Sequence, residues 1–259
     1  MPLHALTSGD IHAAAPLVLL HGFGSGAYVW HAVMAGLARD CPVIAYDLPG
    51  HGGSLFSEGI GGAGRIGRAV LSDLERRGIA KFHLAGHSLG GAAAVIAALK
   101  QPQRVLSLTL LAPGGFGPAI NHRALAHFAT AETHVELRRS MEVMVGFNAA
   151  IPDEMVIEAF EGRNQIGARD ALSKIFAAIL IETSTEDLRQ GTISREDLAR
   201  LAIPVLVVWG NEDCILPVAQ SEGLPDNIAL HRIAQAGHML VDECPRQVTD
   251  FLRAAVQRG

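Results

Sequence analysis

The chain is poor in the features that would settle its class at once. It has three cysteines in 259 residues, Cys41, Cys214 and Cys244. They are widely spaced and form no C-x-x-C pair, so neither a zinc site nor a disulfide framework is indicated. No excess of positive charge exists: 21 Lys and Arg face 26 Asp and Glu, a formal charge of −5. A nucleic-acid binder would show a basic face, and none is expected. No apolar run approaches the roughly 18 residues of a membrane span. No Lys or Arg precedes the short apolar run Ala13 to Leu20, which argues against a secretory signal and for a cytoplasmic protein. What is present is apolar bulk. At 49% hydrophobic residues the chain is too apolar for disorder. At this length it can bury roughly three quarters of its unfolded surface in one or two domains.

The pattern alternates. Leu17 to Leu20 reads as a buried strand running into the Gly-rich turn His21-Gly22-Phe23-Gly24-Ser25-Gly26. Tyr28 to Arg39 reads as a helix, Val43 to Tyr46 as a strand, Ile66 to Arg77 as a helix, and Phe82 to Ala85 as a third strand. An Ala-rich helix over Ala92 to Leu99 and a fourth clear strand over Val105 to Leu111 follow. Strand–helix alternation of this kind specifies an α/β protein with a mostly parallel sheet flanked by helices. From Asn121 to about Asp197 the period is helical, with no convincing strand. Helices are expected over Ala124 to Arg139, Asp153 to Gly162 and Arg169 to Ile181. A segment this long is not a loop of a compact domain, so 118–200 is read as a helical insertion between core segments 1–117 and 201–259. Strands return at Pro204 to Trp209 and Ile228 to Ile233, and Val241 to Val256 reads as the last helix.

Gly86-His87-Ser88-Leu89-Gly90 matches G-x-S-x-G between a strand and a helix. That is the setting in which a serine is held on a strained turn with its hydroxyl exposed. The glycines suit positions where a side chain would clash. Ser88 as a simple helix cap is the plainer alternative. A serine nucleophile needs a base. His238, on the loop after the last strand, is in the right chain order, although twelve histidines make a structural role common. The acid should lie between them. Asp213 follows the strong strand ending at Trp209, with Glu212 as a weaker rival and a turn role as the alternative. Serine, acid and histidine in that order, each after a strand, are far more specific together than singly. Leu89 N–H at the start of a helix, and Phe23 N–H in the turn after the first clear strand, are the candidate oxyanion donors.

These pieces resemble the α/β-hydrolase fold family over nearly the whole chain. The resemblance rests on His21-Gly22-Phe23-Gly24, Trp30, Asp47-Leu48-Pro49-Gly50-His51-Gly52, the Ser88 elbow, Gly210-Asn211-Glu212-Asp213 with Pro217, and Gly237-His238. It implies a serine hydrolase that cleaves an ester or related acyl bond of a small-molecule substrate through an acyl-enzyme, with no cofactor and no metal. It also implies that 118–200 is a helical cap, in which Phe128, Met141, Met144, Phe147 and Phe176 either line an acyl pocket or simply pack between helices. The run Leu111 to Asn121 is similar to the hydrolase-like acyltransferase part of acetoin dehydrogenase complexes. Those proteins carry an N-terminal lipoyl domain, whereas sixteen residues here precede the first clear strand. That favours a free-standing hydrolase with one leading strand in place of two. The same triad also serves acyl transfer and hydrolysis of a carbon–carbon bond in a vinylogous diketone.

A rival comes from another class. Gly22 to Ala27 fits G-x-G-x-x-G/A, and Asp47 ends the next strand at about the ribose-binding distance. A dinucleotide-binding protein would leave Ser88, Asp213 and His238 unexplained and predicts no long helical insertion. A catalytically inert scaffold is a third possibility, against which the intact triad argues. His83 and His87 straddle a strand and the elbow and so do not form a metal pair. Oligomeric state is not legible.

Overall fold

A computed structural model describes residues 2–182 and 188–258. Its centre is a seven-stranded sheet. In chain order the elements before the insertion are β1 (Ala5–Ser8), β2 (Leu17–Leu20), α1 (His31–Leu37), β3 (Val43–Tyr46), α2 (Ala63–Arg76), β4 (Phe82–His87), α3 (Leu89–Lys100) and β5 (Val105–Leu111). After it come β8 (Val205–Gly210), β9 (Ile228–Ile233), α9 (Leu240–Glu243) and α10 (Pro245–Arg258). The strand order is β1-β3-β2-β4-β5-β8-β9, and only the β1–β3 pairing is antiparallel. Every residue of β2 and β3 is buried, which is why both read as unbroken apolar runs. Helix α1 packs with α10 and α2 with α3. The short, polar β1 escaped sequence reading. It supplies one leading strand, paired through Ala5–Tyr46 to Ser8–Val43.

The chain leaves β2 for β3 on one side and then crosses to β4 on the other. The crevice beyond the carboxyl ends of β2 and β4 is therefore a topological switch point, where open α/β sheets bind ligands. The Gly22-Phe23 turn and Ser88 both emerge there.

Between β5 and β8 lie α4 (His122–Thr130), α5 (His134–Glu142), α6 (Asp153–Arg163), α7 (Ala168–Ile179), β6 (Leu180–Glu182), β7 (Leu188–Gln190) and α8 (Arg195–Ala199). Three expectations change. The insertion holds a small antiparallel pair, β6 with β7, where helical period alone was expected. The span 124–139 is two helices, because Thr133 and Glu136 form a reciprocal capping box that starts α5 afresh. The C-terminal helix is broken at Cys244, because Pro245 lacks the N–H needed to continue α9 and instead begins α10. Among the described residues no helix is long and apolar enough to cross a membrane.

Candidate active site

The elbow is built by backbone geometry. Ser88 sits at φ 52° and ψ −117°, a region non-glycine residues rarely occupy, at a cost of about 1–3 kcal/mol. Its surroundings fix it there. Its N–H donates to Leu111 O at 3.0 Å, and its carbonyl accepts from Ala92 N at 3.1 Å and Gly114 N at 2.9 Å. A Cβ on Gly86 would collide with Gly90 O, and one on Gly90 with His21 O. The helix and the β2 turn approach so closely that only glycine fits.

His238 arrives from the loop after β9. Its Nδ1–H donates to Asp213 Oδ2 at 2.8 Å, and the Ser88 hydroxyl lies 2.9 Å from its Nε2. An ionised carboxylate only accepts, so Nδ1 carries the proton and Nε2 is free to take one from Ser88. Asp213 is wholly engaged. Oδ2 also accepts from Trp209 Nε1 at 3.1 Å, and Oδ1 accepts from the N–H groups of Ile215 and Leu216, each at 2.8 Å. Glu212 instead accepts from Phe147 N at 2.7 Å.

Phe23 and Leu89 line the same cavity as Ser88. Leu89 is the first residue of α3, so its N–H has no acceptor within the helix. The Phe23 turn is held close: a Cβ on Gly22 would stand 3.3 Å from Ser88 Cβ. Two buried imidazoles secure that turn. His21 donates from Nδ1 to Gly22 O at 2.7 Å and accepts Leu48 N–H on Nε2 at 3.0 Å, while His51 Nε2 accepts from Gly24 N at 3.0 Å. Burial lowers both, His51 to about 3, so both stay neutral.

Several functional contacts had no sequence signal. His87, the variable residue of the elbow motif, donates from Nε2 to His238 O at 2.7 Å. Burial, and secondarily the neighbouring His238, push it down to about 3. Glu243 accepts from Gly237 N and Met239 N, flanking His238, and from Gly146 N of the insertion. His238 N itself donates to Met144 O at 2.7 Å. Gln190 of β7 accepts from Gly115 N and donates to Gly117 O and Ala119 O, bracing the loop beside the elbow.

Two cavities open on Ser88. One of about 220 Å³ is lined by Ile96, Ile120, Ile179, Leu216 and Gln190, among others. The other, about 50 Å³, is lined by Phe128, Met141, Met144, Met155 and Asp242 together with His238. Phe128, Met141 and Met144 thus reach the site. Phe147 is 79% exposed, and Phe176 stacks on Phe23 with ring centroids 6.1 Å apart. The dinucleotide reading fails at Asp47. Its buried carboxylate accepts from Ala27 N, Gly53 N and His4 Nδ1 at 2.7–2.8 Å and so ties the neighbouring turns together rather than facing a ribose.

The chain is similar to known proteins along almost its full length. It is 35% identical over 245 residues to the dihydrolipoyllysine-residue acetyltransferase component of the acetoin cleaving system of Pseudomonas putida, covering 94% of this chain and 64% of that one. The corresponding Cupriavidus necator protein is 32% identical, with 59% of its length covered. The chain therefore spans about three fifths of these relatives. Among solved structures, the 2-hydroxy-6-oxo-6-phenylhexa-2,4-dienoate hydrolase from Rhodococcus superposes with a TM-score of 0.83 at 25% identity, over 98% of this chain and 94% of that one. The model of the alpha/beta hydrolase family matches residues 17–251. With its mostly parallel sheet and the site placed at the crossover between β2 and β4, this chain belongs to the α/β hydrolase family.

Proposed function

We propose that the protein is a serine hydrolase cleaving an ester or related acyl bond of a small molecule, with Ser88 as nucleophile, His238 as base and Asp213 as the acid that orients it. The observation that carries this is the continuous chain from Ser88 Oγ through His238 to Asp213, at 2.9 and 2.8 Å. His238 takes the hydroxyl proton as Ser88 attacks the carbonyl. Asp213 holds the imidazole tautomer and stabilises the imidazolium. The N–H groups of Phe23 and Leu89 receive the tetrahedral oxyanion, each contributing a few kcal/mol. His238 then returns its proton to the leaving group, and water completes the cycle by the same route. Residues 118–200 act as the cap over the core formed by 1–117 and 201–259. The larger, apolar cavity takes the acyl chain.

A fluorophosphonate label with mass mapping, run beside nitrophenyl esters of increasing acyl length, tests this. Ser88 is the expected site of modification, and Ser88→Ala should abolish both labelling and turnover. A Ser88→Ala variant that kept full turnover would refute the mechanism. Carbon–carbon bond hydrolysis is the second reading. It is supported by a Burkholderia vietnamiensis relative, a 2-hydroxy-6-oxononadienedioate/2-hydroxy-6-oxononatrienedioate hydrolase, 30% identical over 92% of this chain. Acyl transfer is favoured by the 35% identical acetyltransferase component. Partition of the acyl-enzyme between water and an added thiol separates transfer from hydrolysis.

A further inference from the structure

The two cavities at Ser88 differ in what they can receive. Lining the larger are Ser88, Gln190 and Thr192 as its only polar side chains, with no ionisable group among the described residues. The smaller is walled by four methionines, Met141, Met144, Met155 and Met239, and contains one carboxyl group, that of Asp242. Neither cavity is lined by a Lys or Arg among the described residues.

Asp242 lies on α9, one helical turn beyond His238, and lines the same small cavity as the Ser88 hydroxyl. Its carboxyl accepts no hydrogen bond from another described residue. The adjacent Glu243, by contrast, is saturated by three backbone N–H groups. The groups around Asp242 offer no compensating charge. Glu243 is on its own helix and Glu158 on α6. Both act on it as negative charges, and with burial they raise its pKa to about 7. Tyr28 lines the cavity from the turn before α1, and its phenol is kept protonated by burial. Arg163, whose charge acts on Tyr28, is occupied elsewhere. It donates to Ala159 O and Phe128 O and lies 4.4 Å from the Phe128 ring centroid. A polar group left without a partner in a largely apolar pocket is costly unless something binds it.

On the serine hydrolase reading, we propose that Asp242 is a specificity-determining residue. It receives a hydroxyl or ammonium donor on the leaving alcohol of the substrate, while the absence of Lys and Arg among the described residues lining both cavities rejects substrates carrying a carboxylate or phosphate there. This points to neutral or cationic esters with an apolar acyl chain. It also disfavours dioate substrates such as that named for the Burkholderia relative.

The test uses four hexanoyl esters that differ only in the alcohol: propanol, ethylene glycol, dimethylaminoethanol and glycolate. In the wild type, kcat/KM for the ammonium and hydroxyethyl esters should exceed that for the propyl ester about tenfold. The glycolate ester should fall about tenfold or more below it. The four esters share one acyl group and one attacking serine, so ratios isolate Asp242. The ratio of ammonium to propyl ester should grow as pH rises from 6 to 7 in the wild type, a range over which the ester's amine stays protonated, and this measurement needs no variant. In Asp242→Asn the ammonium ratio should collapse towards one and lose that pH dependence, and in Asp242→Leu, which also removes the acceptor, the hydroxyethyl ratio should collapse as well. Turnover of the propyl ester and labelling of Ser88, with flat wild-type ratios or an ammonium ratio unchanged in Asp242→Asn, would overturn the inference and leave the hydrolase reading standing. Failure to turn over any of the esters, with no label on Ser88, would overturn the reading on which it rests.

Discussion

The imidazole of His87 donates its Nε2–H to the main-chain oxygen of His238, and the two rings lie 4.9 Å apart. The residue immediately before Ser88 thus holds the loop that carries His238. One strand end thus positions both members of the proposed nucleophile–base pair. Because a carbonyl can only accept, the bond requires neutral or protonated His87 with hydrogen on Nε2, and burial selects the neutral form.

His87→Ala should therefore leave His238 O without its donor, at about 1–3 kcal/mol of stability. It should also lower kcat more than it raises KM, by about tenfold or more. A 1 Å misplacement can cost a hundredfold. His87→Gln keeps an N–H donor and should recover part of kcat. Steady-state kinetics with thermal melting checks both. Equal kcat for His87→Ala and wild type would show that the contact does not position the base.

Asp213 and Glu212 are adjacent in sequence yet do different work. Asp213→Asn should lower kcat by about 10⁴, because an amide no longer imposes the required imidazole tautomer. Glu212→Gln retains an oxygen for Phe147 N and should stay within a few-fold of wild type. Comparing the two variants on one nitrophenyl ester decides the assignment. A larger loss for Glu212→Gln would reverse it.

Much of this site was legible because its residues are punctuated by local structure. The strand–turn–helix around Ser88, the strand ending before Asp213 and the glycine before His238 are each short-range signals, and all six clear strands lie where their apolar runs place them. What escaped depends on long-range contact. Strand β1 is polar and brief, and only its pairing with β3 makes it a strand. The capping box at Thr133 divides a helical period that looks continuous. His87, Glu243 and Gln190 reveal nothing in a linear reading, since their partners lie far along the chain or on backbone atoms. The distinction between Phe128, which lines the site, and Phe147, which is exposed, likewise needs the packing of the insertion.

Gly86 and Gly90 face each other across the elbow. A methyl group on Gly90 would run into the backbone carbonyl of His21, and one on Gly86 into that of Gly90. Neither neighbour can yield without displacing β2 or α3. Gly90→Ala should cost about 3 kcal/mol or more, at the upper end for single substitutions, and Gly86→Ala a similar amount. Denaturant unfolding of each variant tests the prediction. A loss below about 1 kcal/mol would mean that the elbow can relax more than its close contacts suggest.

Asp242 also affects stability. Burial, then Glu243 and Glu158, raise its carboxyl from 3.8 to about 7. Between those values the folded protein keeps a proton that the unfolded chain has released. Stability from this group is therefore greatest at acid pH, falls as pH rises from about 4 to 7, and levels off above. Each pKa unit corresponds to about 1.4 kcal/mol. Because the residue is partly exposed, the whole effect should be about 1–2 kcal/mol, well below the full conversion. Asp242→Asn removes the ionisation, so its stability relative to wild type should rise from pH 4.5 to about pH 7 and then level off. Urea unfolding of both proteins at pH 4.5, 6 and 8 measures that difference. A difference independent of pH would place the carboxyl in a better-solvated setting than its position beside Ser88 indicates.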